Sequence, residues 1–140
     1  VLFFAPPYCP HNTLKNEKPQ EKQLLDMLKD ITAEYGKEIG ETFKVSQFFP
    51  SLSDSSYIKI DDTEESIDLL VHNFPGYKTL YPLPFKDMKL LDIPAVNFGV
   101  YGKDAHKWTE RVNIPYSFKV LPSLILKTVY EIFGQKVIDL

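Results

Sequence analysis

The order of apolar patterns along the chain predicts an α/β domain. Stretches with a helical period alternate with short strand-like runs, and proline or glycine bounds most of them. No internal repeat or low-complexity tract interrupts the series. With 140 residues, 44% of them hydrophobic, the chain is long enough to bury one core.

The first run, Val1-Leu2-Phe3-Phe4-Ala5, reads as a short buried strand, stopped by Pro6-Pro7, which cannot continue a ladder. Residues 8–19, rich in Pro, Asn and Lys, read as a loop. From Gln20 the period changes. Leu24, Leu25, Leu28, Ile31 and Tyr35 make one helical stripe, and Glu21, Lys22, Lys29, Asp30 and Glu34 are expected to face water. Gly36 or Gly40 is expected to end this helix in the left-handed conformation.

Phe43, Val45 and Phe49 share a parity, so residues 43–49 read as a second strand, ended by Pro50. The polar turn at 51–56 follows. A second helix is expected near Asp62-Thr63-Glu64-Glu65, where Asp62 and Glu65 have capping-box spacing. Its apolar face is Ile67, Leu70, Val71 and Phe74, and Pro75-Gly76 stops it. Residues 77–85 look like an irregular crossing. Residues 85–91 suit a short helical turn that leads into a third, buried strand over 93–99. A last helix starts between Tyr116 and Pro122, with the proline in its first turn. Leu121, Ile125, Val129 and Ile132, with Leu124 and Thr128 beside them, are expected to dock it on the sheet. Three strands make a narrow sheet, so at least one edge should be covered by other chain or by a partner copy.

Charge and composition exclude several functions. Sixteen basic against nineteen acidic residues give a net charge of -3 and no clustered basic footprint for nucleic acid. No apolar run approaches the roughly 20 residues that a membrane-spanning helix needs, and no signal-peptide pattern is present. The single cysteine, Cys9, rules out an internal disulfide framework and fits a reducing cytoplasm. The strand-like start without Met suggests a piece of a longer protein, although trimming would look the same.

The chemistry concentrates in Gly102-Lys103-Asp104-Ala105-His106-Lys107-Trp108-Thr109-Glu110-Arg111-Val112, which follows the third expected strand. His106 suits a zinc ligand, with Glu110 or Asp104 accepting the other ring N–H and fixing the tautomer. On spacing alone a loop histidine hydrogen-bonded to its neighbours is the better fit, because zinc needs three or four ligands. His72 reads as a solvated helix residue. His11, in the proline-rich loop, is a candidate substrate contact. Asp54 follows a strand end, where it is either a site acid or a helix N-cap. Gly99 and Gly102 flank a loop whose N–H groups suit an anionic group, or else a tight turn. Cys9 lacks a basic partner nearby, and Trp108 and the other aromatics read as packing.

The segment Leu91-Asp92-Ile93-Pro94-Ala95-Val96-Asn97-Phe98-Gly99, followed by the His106 stretch, resembles the C-terminal end of the di-zinc aminoacylase/dipeptidase/desuccinylase family. Members of that family show an Ile-Pro, an apolar strand, a glycine loop, then His and a Glu-aromatic-Val. Three further stretches resemble members concerned with arginine utilisation: Phe3-Phe4-Ala5-Pro6-Pro7-Tyr8 with Pro10-His11, Phe48-Phe49-Pro50-Ser51-Leu52-Ser53-Asp54, and residues 75–81.

The resemblance implies an incomplete three-layer α/β sheet with flanking helices, the C-terminal portion of a zinc-peptidase-like catalytic domain. Residues 1–19 would be the strand and proline-rich return from an inserted lid region, and 20–140 the C-terminal half of the catalytic domain. By the same resemblance His106 matches the last metal ligand, Glu110 the acid after it, and Asp54 a near-site acid that is not a ligand. Leu52-Ser53 stands where the family has a glycine pair. The family's His-x-Asp motif, its Glu-Glu pair with the general base, and a further acid have no counterpart here; Glu64-Glu65 lies in the wrong order.

The expectation is therefore a fragment of a metal-dependent amide or peptide hydrolase with a role in arginine catabolism, inactive alone. Zinc would be held by the parent and poorly by the fragment. The partners expected are the missing N-terminal half, a small-molecule amide or peptide substrate, and further copies through exposed apolar surface. The alternative is a non-catalytic binding or assembly domain that keeps the fold without the metal.

Overall fold

The computed structural model describes residues 13–15, 17–47 and 57–134. The expected strand at 1–5, Cys9, His11 and the 48–56 segment with Asp54 lie outside the described residues. What is described is helix-rich and mixed, with a small two-stranded sheet, as part of an α/β domain can be. The chain divides into two units, Val1–Asn16 with Ser46–Val96, and Glu17–Val45 with Asn97–Leu140.

The first unit gathers three short helices around a small core, α2 (Glu64–His72), α3 (Tyr77–Leu80) and α4 (Phe85–Leu91). Ile60, Ile67, Phe85 and Met88 are its buried centre, with Leu70, Val71 and Tyr77 packed against them. Tyr77 stacks on Phe85 with ring centres 6.0 Å apart. Its hydroxyl donates to the Leu83 carbonyl at 2.8 Å and accepts from the Leu83 N–H at 3.1 Å, which pins the proline-containing crossing to the core. The helix start is displaced by one residue from the expected Asp62–Glu65 box. Thr63 is the N-cap, and its hydroxyl accepts from the Ser66 N–H at 3.2 Å. α2 ends at His72, ahead of Phe74 and Pro75-Gly76.

A lysine lies inside this unit. Lys59 is 0% exposed; its Nζ donates to the Thr13 carbonyl at 2.8 Å and pairs with Asp61 Oδ2 at 3.1 Å. Lys15 reaches the same carboxylate oxygen at 3.6 Å. Burying an ammonium is costly unless it is paired and hydrogen-bonded, and here it is both.

The second unit is built on α1 (Pro19–Ile39) and α5 (Leu121–Phe133), which pack together. Pro19 sits where the first turn tolerates a missing N–H, and Gly40, at φ 72°, ends the helix with its N–H on the Gly36 carbonyl. Leu25, Leu28 and Tyr35 are buried as the stripe predicts, whereas Glu21, expected in water, is only 3% exposed and 3.9 Å from Lys18. Lys127 ties the pair: its Nζ meets Glu38 Oε2 at 3.2 Å and lies 5.1 Å from the centre of the Tyr35 ring. The buried hydroxyls of Thr32 and Thr128 donate to carbonyls one turn back, those of Leu28 and Leu124, so neither is left unsatisfied.

Three expectations about this architecture are corrected. Residues 43–47 form no strand; Phe43 instead stacks on Tyr35, with centres 6.1 Å apart, and tilts against Tyr116 at 6.5 Å. Residues 93–99 form no buried strand either. Ile93 is exposed, and its N–H reaches the Ile58 carbonyl at 3.1 Å. A strand needs a ladder, and residues 93–99 are not part of one. Finally, α5 buries Leu121, Leu124 and Thr128, while Ile125, Val129 and Ile132 face outward. It packs on α1 rather than on a sheet.

α5 begins at Leu121, within the expected window, and a helical run already starts at Ile114. Asn113 Oδ1 accepts from the Tyr116 N–H at 3.0 Å and caps a helical run that enters a π turn over Tyr116–Val120. In that turn the Leu121 N–H reaches back five residues to the Tyr116 carbonyl. The wider turn lies immediately before Pro122, the residue that has no N–H to offer a tighter ladder.

Candidate functional site

The stretch that sequence reasoning singled out is a small hairpin. β1 (Gly102–Lys103) and β2 (Arg111–Val112) pair antiparallel, Gly102 opposite Val112 and Lys103 opposite Arg111. Gly102 has a steric reason to be glycine, since a Cβ there would lie 2.5 Å from the Arg111 carbonyl oxygen. Past the strands, the Asn113 N–H bonds the Tyr101 carbonyl at 2.8 Å and the Tyr101 ring meets Tyr116 edge-on at 6.1 Å. The hairpin is thereby joined to the helical run that leads into α5.

The loop between the strands is two consecutive turns. The Lys107 N–H bonds the Asp104 carbonyl at 2.9 Å, and the Glu110 N–H bonds the Lys107 carbonyl at 3.0 Å. Asp104 and His106 both take positive φ, 58° and 62°. Asp and His are among the few non-glycine residues that visit this region, at a cost of about 1–2 kcal/mol each. Two side-chain ties hold the loop against that cost. Glu110 Oε2 accepts the backbone N–H of His106 at 3.1 Å, and Asp104 Oδ2 pairs with Arg111 Nη1 at 3.3 Å.

Both acids named as candidate partners of the His106 ring are therefore engaged elsewhere. Glu110 holds the histidine's backbone and Asp104 holds Arg111. The imidazole itself stands on an exposed residue at the outside of a cross-tied loop. Trp108, expected to be packing, is fully exposed at 103% beside it. Gly99 is exposed, with open space where a Cβ would sit. Gly102 belongs to the hairpin ladder, and neither glycine has positive φ. His72, the last residue of α2, is exposed as expected.

Among the described residues, no three His, Cys, Asp or Glu side chains gather closely enough to hold a metal ion. The described residues thus offer zinc one imidazole from this loop, fewer than the three or four ligands that the ion requires. Sequence reasoning missed two residues that shape the site. Arg111 is one, and its position opposite Lys103 gave no signal. Asn113 is the other, and Asn-Ile-Pro was legible as a cap followed by an early helical proline.

Over 128 residues the chain is 47% identical to Protein RocB of Bacillus subtilis (strain 168), a match that covers 91% of this chain and 23% of that protein. Over 136 residues it is 38% identical to the Uncharacterized protein YqjN of the same organism, covering 96% of this chain and 24% of YqjN. The chain spans about a quarter of the length of these curated relatives. No family model and no solved structure matches it.

Proposed function

Because this chain is similar to a part of Protein RocB over nearly all of its length, we propose that it is the C-terminal part of a RocB-like, zinc-dependent hydrolase of amide or peptide bonds. One observation carries the reading: His106 is held in a left-handed conformation on an exposed, doubly tied hairpin loop. A loop that accepts backbone strain to fix a histidine outward fits a residue offered to a site elsewhere.

In this reading His106 is one metal ligand, and the others come from polypeptide of the kind that the relatives carry beyond the matched quarter. Bound zinc would supply a Lewis acid and an activated water at neutral pH. Glu110 positions the His106 loop through its backbone rather than by orienting the imidazole. Asp54 is proposed as the near-site acid, and His11, Gly99 and Gly102 as substrate contacts. The substrate class is a small amide or peptide, consistent with a role in arginine catabolism. The proposed location is the cytoplasm; no helix among the described residues is long and apolar enough to cross a membrane.

The test is His106→Ala in a RocB-length protein carrying this sequence, read by zinc content and by amide hydrolysis. Loss of both is expected. Unchanged zinc and turnover would remove His106 from the site, and a RocB-length protein with neither zinc nor activity would favour the non-catalytic binding domain. The 140-residue chain alone is expected to show no turnover with added zinc and only weak zinc binding.

A further inference from the structure

α5 has two apolar faces, and only one is covered. Leu121, Leu124 and Thr128 form the buried face. At about 100° per residue, Ile125, Val129 and Ile132 fall within one narrow arc beside it, and Phe133 extends the arc at the C-terminal end. This second face is open: Val129 is 41% exposed, Ile132 50% and Phe133 70%. The charged residues of α5, Lys127 and Glu131, project from the far side of the helix. Lys127 is occupied there with Glu38 and Tyr35. A helix with apolar side chains round half its circumference is a helix made to be buried on two sides, and an exposed patch of this kind marks a contact surface.

The comparisons favour one occupant. The YqjN match covers 96% of this chain, so α5 falls within it, and YqjN and RocB are each about four times longer than the matched part. The matched segment of YqjN therefore contains the counterpart of α5, in a polypeptide with three further quarters of chain available to cover it. We propose that the Ile125–Val129–Ile132 face of α5 docks against an apolar face elsewhere in a RocB-length polypeptide, making this chain a structural lobe of that protein. The proposal rests on the reading of this chain as part of a RocB-like protein, but not on zinc or hydrolysis.

The experiment places Val129→Asp in two settings: the 140-residue chain, and a chimera in which this chain replaces the matched 128 residues of Protein RocB. Glu131→Gln, on the opposite side, is the control. In the isolated chain Val129→Asp should leave the unfolding midpoint within about 2 °C and weaken concentration-dependent self-association. In the chimera the same change should lower the midpoint by about 5 °C or more, because a carboxylate is then buried unpaired. Should the unsubstituted chimera be insoluble, the same comparison is read in YqjN, whose match spans α5, at the residue aligned with Val129. A RocB-length protein that tolerates the aspartate overturns the proposal. So does a defined dimer of the isolated chain that Val129→Asp abolishes and that persists in the RocB-length protein, since a second copy would then be the occupant. Because the readout is stability, failure of the hydrolase reading leaves this result unaffected.

Discussion

Replacing Glu110 by alanine isolates what the loop carboxylate does. The side chain accepts the His106 N–H at 3.1 Å in an exposed setting. A hydrogen bond to a charged acceptor contributes about 1.5–3 kcal/mol when well shielded, and exposure here brings the figure down to about 1 kcal/mol. That is comparable to the cost of holding one non-glycine residue at positive φ, so its loss should let the loop open locally while the two backbone turns and the Asp104–Arg111 pair persist. About 1 kcal/mol corresponds to about a fivefold change in an opening equilibrium. Amide hydrogen exchange by NMR reads this directly. His106 should exchange about five times faster in Glu110→Ala, Lys107 should change less, and Glu110→Gln, which keeps an acceptor, should change His106 less than twofold. Unchanged His106 exchange in Glu110→Ala would refute the positioning role. If Glu110→Gln were then as damaging to the RocB-length protein as Glu110→Ala, the charge itself would have to act in the chemistry.

Lys59→Met keeps the aliphatic stem but removes the buried ammonium, leaving the Thr13 carbonyl without that donor. Asp61 keeps Lys15, so the expected loss in urea unfolding is about 2–3 kcal/mol, below the cost of fully orphaning a buried charge; an unshifted midpoint would count against the pairing. Gly102→Ala forces a Cβ toward the Arg111 carbonyl and should cost about 1–3 kcal/mol, with the amide signals of Lys103 and Arg111 displaced; unmoved signals would contradict the close strand approach. Thr63→Ala should remove about 1 kcal/mol through the α2 cap, and Thr63→Ser should restore most of it.

What the sequence made legible was local chemistry. Pro19 and Gly40 bound α1 because each acts through its own backbone, and Leu25 and Leu28 of α1 and Ile67 of α2 report the buried face directly. The strands failed for the opposite reason. The parity of Phe43, Val45 and Phe49 describes a side-chain pattern, but a strand exists only where a partner supplies the ladder, and Phe43 found aromatic neighbours in Tyr35 and Tyr116. The choice of face on α5 failed because the helix has two apolar arcs, and composition cannot say which is covered within this chain. At the site, the loop and the prominence of His106 were readable from spacing. The destination of each carboxylate was not, because the turn geometry at Asp104 and His106 decides which atoms Glu110 and Asp104 can reach.

The π turn at Tyr116–Val120 has a consequence for how this sequence can vary. It takes up one more residue than an α turn would, so the helical run before it and α5 after it are out of phase by about 100°. Deleting one residue there would leave a regular helix but rotate Leu121 and Leu124 away from their buried positions and disconnect the Asn113 cap from the face it serves. A one-residue gap at this place in an alignment should therefore be accompanied by a shifted apolar pattern on one side of it, and a gap without such a shift would mark a misaligned pair.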